Sequence, residues 1–234
     1  NRALSVRPEY AEALNNLGIV FTQLGKVDDA ALSYQKALTL KPNYTDALRN
    51  FGVLLVTMGR WNEALECFEK KIELVRGPDA TNFNLDTFRL ITKAKMMHDI
   101  EQFGYLGSRY PEKVRFGKLV RTYSELNNRI QWPEKDTAGI FLSQEEQSLI
   151  KNSYNRTIHR VEALAMSGSV LNSDLDVQVI TQSYFLNAPG MVYLDDVLDL
   201  DALHSLRHFL LESTIWYEMG HEGGYLGAML GDGL

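Results

Sequence analysis

The apolar positions of the first third of the chain recur with a period of 34 residues. That shift superposes Pro8 on Pro42, Tyr10 on Tyr44, Ala13 on Ala47, Leu14 on Leu48, Asn16 on Asn50, Gly18 on Gly52, Gly25 on Gly59 and Ala30 on Ala64. Lys36 with Lys70 and Leu40 with Leu74 bring the identities to 10 of 34, and Leu17/Phe51, Leu24/Met58, Tyr34/Phe68 and Leu38/Ile72 keep the hydrophobic character between them. Ala3-Leu4-Ser5-Val6-Arg7 matches Ala37-Leu38-Thr39-Leu40-Lys41, so a preceding repeat is expected upstream, and the first residue is not expected to be the native N-terminus.

After Gly77-Pro78 the period is lost. Phe88, Ile91, Met96, Ile100 and Phe103 lie close to helical spacing and predict a helix over 88–106 that ends before Pro111. A second helix is expected over 114–130, with Leu119, Tyr123 and Leu126 on one side, stopping before Trp132-Pro133. Ser143-Gln144-Glu145-Glu146 fits a capping box ahead of Leu149, Ile150 and Tyr154, which predicts a third helix from about 144 to 162. Further on, Asn187-Ala188-Pro189-Gly190 reads as a turn and Met191-Val192-Tyr193-Leu194 as a short strand. Asp199 or Asp201 then caps a helix running to about Thr214, with Leu203, Leu206 and Leu210 expected on its core side.

The period and the residues that repeat resemble the tetratricopeptide repeat, a pair of antiparallel helices. In that reading Gly18, Gly52, Ala30 and Ala64 are small where helix A approaches helix B. Gly25 and Gly59 form the turn between the helices, and Pro8 and Pro42 begin each repeat. The chain then divides into a partial repeat at 1–7, full repeats at 8–41 and 42–76, a helical connector over 78–168 and a further domain over 169–234. A repeat pair leaves a face to be covered by a neighbour, so the support is expected from upstream repeats or from the helices that follow. The resemblance also implies a peptide-binding concave face lined by helix A. Asn16 and Asn50 recur in register there, like the asparagine ladder of peptide-binding members, and an amide both donates to and accepts from an extended backbone. Asn15, Asp46, Arg49 and Thr22 are their expected neighbours; a solvated polar helix position is the alternative reading.

Composition narrows the function classes. The 234 residues are 45% hydrophobic and 23% charged, as in a globular protein, and no apolar run approaches the roughly 20 residues of a membrane-spanning helix. The single cysteine, Cys67, makes no intrachain disulfide, and a cytoplasmic setting is the default. Net charge is −6, but residues 172–234 hold only Arg207 against 10 acidic groups. Such a segment repels a phosphate backbone, which sets nucleic acid aside as a partner, at least for this part of the chain; a polypeptide partner is what the repeat resemblance implies.

The last third carries a second resemblance. Met-Val-Tyr-Leu-Asp-Asp-Val-Leu from Met191, Leu-Arg-His-Phe-Leu-Leu-Glu-Ser-Thr-Ile-Trp from Leu206, and Gly-Tyr-Leu-Gly-Ala from Gly224 resemble the entry to Fe(II)/2-oxoglutarate oxygenase domains of the prolyl-hydroxylase type. The whole would be mainly α: a tetratricopeptide α-solenoid, a helical connector and the beginning of an α+β domain of the double-stranded β-helix type. The resemblance implies an Fe(II)- and 2-oxoglutarate-dependent parent enzyme whose repeats recruit a polypeptide. Those enzymes bind iron with His-x-Asp and a distant His. His98, His159, His204, His208 and His221 are followed two positions on by Ile, Val, Leu, Leu and Gly, so no catalytic, cofactor or metal residue is assigned, and the triad is expected beyond Leu234. The alternatives are a non-enzymatic repeat scaffold and the repeat region of a glycosyltransferase.

His98 and Gln102 lie one helical turn apart and read as a surface or interdomain hydrogen-bonding pair. His204 and His208 are spaced i, i+4 but lack the glutamate of a zinc-peptidase motif. Residues 220–233 are glycine-rich without a phosphate-loop ending and read as a flexible loop. Cys67 reads as a packed small residue.

Overall fold

A computed structural model describes residues 10–77, 80, 88–187, 190–219 and 224–228. In chain order its elements are α1 (Ala11–Gln23), α2 (Val27–Leu40), α3 (Thr45–Thr57), α4 (Trp61–Arg76), β1 (Leu90–Ile91), α5 (Lys93–Arg109) and α6 (Arg115–Arg129). They are followed by β2 (Ile140–Phe141), α7 (Gln144–Ile150), α8 (Val177–Leu186) and α9 (Leu200–Glu212). The partial repeat at 1–7, Pro8, the Ala188-Pro189 step, His221 and most of the glycine-rich stretch lie outside the described residues.

Within each repeat the helices turn back on each other through the same local device. Gly25 and Gly59 have φ of +70° and +72°, a backbone that side-chain-bearing residues adopt at a cost. Around Gly25, the Lys26 amide reaches the Phe21 carbonyl at 2.9 Å and the Gly25 amide reaches Thr22 O at 3.1 Å. Around Gly59, the Arg60 amide reaches Leu55 O at 2.9 Å and the Gly59 amide reaches Val56 O at 3.0 Å. Both are Schellman closures of the first helix of the pair.

The close approach of the paired helices is set by Gly18 and Gly52. A Cβ on Gly18 would come within 2.5 Å of the Tyr34 ring, and one on Gly52 would run into the Phe68 ring. Both rings are 2% exposed, beside Ala30 and Ala64 at 0% and 1%. These residues, with Phe51, Leu54 and Leu55, form the repeat core, in which α2 also packs on α3.

A second core lies downstream. Ile91, Met96, Phe103, Leu106, Phe116, Tyr123, Leu126, Leu142, Ile150 and Tyr154 pack together between α5, α6, α7 and the small sheet. That sheet is two-stranded and antiparallel, pairing Leu90 with Phe141 and Ile91 with Ile140. It is the only sheet among the described residues, so the architecture is mainly helical. The chain leaves the last repeat through Arg76 and Gly77, and both are held by this second region. The Arg76 guanidinium donates to Asn155 O at 3.1 Å and lies 3.8 Å from the Tyr217 ring. Arg156 donates to Gly77 O at 2.8 Å, and the Thr157 amide donates to Arg76 O at 3.0 Å. The end of the last repeat is thus tied to residues 155–157 and to Tyr217, beyond α7 in the chain.

The described chain forms two compact units. One contains the repeats and the second core, with residues up to 158 and from 214 onward; the other spans 159–213. In the second unit, residues 170–172 and 197–199 run antiparallel, with the Asn172 amide on Val197 O and the Asp199 amide on Val170 O, each at 3.0 Å. Within it His159 Nδ1 sits 2.7 Å from Glu212 O, and Ser205 Oγ donates to Leu164 O at 3.0 Å.

Several local expectations are corrected. The helix expected over 88–106 begins only at Lys93, because Leu90 and Ile91 are spent on the sheet and Thr92 caps α5 through its side chain. The helix expected to reach about 162 stops at Ile150. Its capping box is present, with Ser143 Oγ accepting from the Glu146 amide at 3.2 Å and Glu146 accepting from the Ser143 amide at 2.8 Å. Asn155, however, takes a left-handed φ of 52°, and Tyr154 is drawn into the core, so the helical path cannot continue. The run Met191–Leu194 is not a strand: among the described residues no segment pairs with it, and Tyr193 stands 92% exposed. In α9 the buried positions are Ala202, Ser205 and Glu212, not Leu203 and Leu206, which are 37% and 42% exposed, while Leu210 is half-buried. Two of these buried groups are polar and partnered: Ser205 donates to Leu164 O, and Glu212 faces His208. α8 was not anticipated; Asp176 caps it by accepting from the Gln178 and Val179 amides, and none of its residues is buried.

Candidate peptide-binding face

α1 and α3, the first helices of the two repeats, lie side by side. Asn50 Nδ2 donates to Asn15 Oδ1 at 3.1 Å across them. Asn15 is 3% exposed, so this bond satisfies a buried amide, whereas Asn50 is half-buried and Asn16 exposed. The two residues that coincide under the repeat, Asn16 and Asn50, therefore differ in environment. Asn16 offers its whole amide, while Asn50 offers a carbonyl oxygen and one N–H, held in orientation by Asn15. Asp46 and Arg49 are exposed on α3. Thr22 is exposed as a residue, but its hydroxyl donates to Gly18 O at 2.9 Å and lies 3.4 Å from Tyr34 Oη, so it serves the repeat's own packing. At the edge of this pair of helices Glu12 and Lys41 form an exposed ion pair at 3.0 Å, which lowers the Glu12 carboxyl through that hydrogen bond.

The polar cluster at 95–102 resolves differently from the pattern read in its sequence. Lys95 and Asp99, one turn apart on α5, form an ion pair in which each side chain is 5% exposed. Burial pushes the Lys95 ammonium down from its ordinary value, and Asp99 opposes that shift. His98 is partly exposed, 3.4 Å from Asp99 Oδ1, with its ring edge against Trp216 at 5.9 Å between centroids. Gln102 is buried. The i, i+4 spacing of Lys95 and Asp99 was the available signal, masked by the attention that a histidine draws.

Tyr123 and Tyr154 close the cluster. Tyr123 Oη is 3.0 Å from Ser153 Oγ, and Tyr154 donates to Leu90 O at 2.6 Å. Burial first, then the Asp99 charge, raises both phenols well above 10.0. A raised folded-state value contributes stability that is intact below the unfolded value near 10 and is lost as pH rises through the folded one. Stability is therefore expected to fall above about pH 10, with phenolate absorbance of these two residues appearing only together with unfolding; Tyr123→Phe should shrink that delayed step by one phenol.

No described helix is long and apolar enough to cross a membrane. Among the described residues no group of three His, Cys, Asp or Glu side chains is placed to hold a metal ion. His208 instead faces Glu212 at 3.1 Å within α9, and His204 is exposed. Burial raises the Cys67 thiol, with Glu66 and Glu63 adding to the shift, which disfavours a reactive thiolate. Of the glycine-rich stretch, Gly227 is described, and it exchanges both backbone hydrogen bonds with Glu218 at 3.0 Å.

With this geometry in view, comparison of the sequence with known families matches the tetratricopeptide repeat twice, at residues 11–44 and 47–79. Both matches coincide with the helix pairs α1–α2 and α3–α4. Tetratricopeptide repeats are in general protein-interaction modules. No curated protein matches the chain.

Proposed function

We propose that the chain binds an extended polypeptide segment across α1 and α3, with Asn16 and Asn50 as the amide contacts and Asp46 and Arg49 beside them. The observation that supports this reading is the Asn50–Asn15 hydrogen bond. It commits one half of the Asn50 amide to the fold and holds the other half oriented, so that ordering it on a ligand costs little further side-chain entropy. Asn15 is a positioning residue in this scheme, and Thr22, whose hydroxyl is spent on Gly18 O and Tyr34, makes no ligand contact in it.

The resemblance of the last third to prolyl-hydroxylase-type oxygenases supports a parent protein in which the captured segment is presented for hydroxylation. Residues of this chain supply recognition in that scheme and no iron ligand. A purely adaptor role is the alternative.

Peptides selected from a random display library on the intact chain provide the probe, titrated by calorimetry against Asn16→Ala and Asn50→Ala. Each substitution is expected to weaken binding by about threefold to tenfold, the range of one net hydrogen bond. Undiminished affinity in both variants would overturn the assignment of this face.

A further inference from the structure

The second compact unit contains an open groove of about 620 Å³ that the repeat-based reading does not use. Its lining includes the leucines Leu194, Leu198, Leu200 and Leu203 and the aspartates Asp174, Asp196 and Asp199. Its shape is held by the antiparallel contact of 170–172 with 197–199 and by Asn172, which donates from Nδ2 to Asp196 O at 3.0 Å and accepts the Asp174 amide at 3.0 Å. Leu200 and Leu194 are 68% and 42% exposed, so these leucines face solvent.

None of the three carboxylates forms an ion pair among the described residues. Asp199 accepts the Asp201 amide as the cap of α9, and Asp174 meets only the Ser173 hydroxyl at 3.5 Å. Residues 159–213 as a whole hold Arg160 and Arg207 against eight acidic groups. Exposed leucines beside carboxylates that have no cationic partner attract a side chain with an aliphatic stem and a cationic head. A second copy docking through this same face would bring the same negative charge, and a nucleic acid would bring phosphates; both are repelled.

From this we infer that the groove between the 194–203 leucines and Asp174, Asp196 and Asp199 docks a basic polypeptide segment, seating an arginine or lysine with an apolar neighbour. The occupant is distinct from the extended segment assigned to α1 and α3, and the inference does not rest on that assignment.

The test uses the intact chain and a synthetic Leu/Arg peptide, with its Leu/Glu counterpart and free spermidine as comparison ligands, titrated by fluorescence anisotropy. The Leu/Arg peptide is expected to saturate a single site. Asp174→Asn combined with Asp196→Asn is expected to weaken it by roughly fivefold to tenfold, and Leu203→Ala to weaken it as well. Both aspartate changes are isosteric, and asparagine tolerates the φ of 52° at residue 196, so the fold is retained. Asp195→Asn combined with Asp201→Asn removes the same charge outside the groove and is expected to leave affinity unchanged, as is Asn16→Ala combined with Asn50→Ala. Equal binding of the Leu/Glu peptide, full competition by spermidine at matched affinity, or equal losses in the Asp195/Asp201 control would each overturn the proposal.

Discussion

Asp99→Ala is expected to destabilise the chain by about 3–5 kcal/mol, measured by urea unfolding near neutral pH. The reason is the charge it strands rather than the bond it removes. Lys95 is 4% exposed, its ammonium faces Asp99, and burial already pushes it down. Without the carboxylate only the face of the Tyr154 ring, 5.5 Å from the ammonium, still favours the cation, and the folded chain must either hold a charge with no anionic partner or give up its proton. A lysine whose folded value is depressed binds fewer protons folded than unfolded. The penalty is therefore largest below the folded value and fades as pH climbs toward the ordinary value of 10.5. The loss in Asp99→Ala is expected to be smaller at pH 9 than at pH 6, and a pH-independent loss would argue against this account. Replacing both partners, Lys95→Met with Asp99→Leu, is expected to be close to neutral, because the desolvation of the pair is removed with its attraction.

Phe68→Ala is expected to cost about 3–5 kcal/mol, the largest effect within the repeats. The ring is 2% exposed and lies against Gly52, Ala64 and Leu55 in the repeat core. Gly52→Ala alone is expected to cost about 1–3 kcal/mol, because its Cβ enters the volume of that ring. In the double variant the added methyl enters space the ring has vacated. The two losses should then fall short of additivity by about 1 kcal/mol or more in a double-mutant cycle. Strict additivity would mean that the glycine is there for backbone reasons alone.

The repeat architecture was legible because each of its requirements leaves a residue type behind. A left-handed turn leaves glycine at 25 and 59, a ring lying on a helix leaves glycine at 18 and 52, and the period makes each pair visible twice. Downstream no element recurs, and single signals competed. The capping box at Ser143 located the start of α7, while its early end depended on where Tyr154 packs, a long-range fact. Leu203 and Leu206 followed an amphipathic stripe but are exposed, since the buried side of α9 carries Ala202 and the hydrogen-bonded Ser205 and Glu212, which no apolar stripe marks. In the candidate binding face the residue types were readable, but the pairing was not. The superposition puts Asn16 with Asn50, whereas the contact is Asn15 with Asn50, a stagger of one residue between neighbouring helices.

The seam at Arg76 and Gly77 determines how the first unit comes apart. Arg156 and the Thr157 amide are bonded to carbonyls at the very end of α4, and Arg76 reaches across to Asn155. Fraying of the last repeat helix and melting of the 150–158 turn are thereby the same event, so amide exchange in α4 and in the Tyr154 core should be protected to a common free energy. In dissection experiments, a cut after residue 77 would leave the repeats without the polar clamp that closes them, whereas one that keeps the chain through 158 preserves it. The smallest cooperative folding unit of this region is then set by guanidinium–carbonyl contacts made far along the chain, and not by the last residue of the repeat.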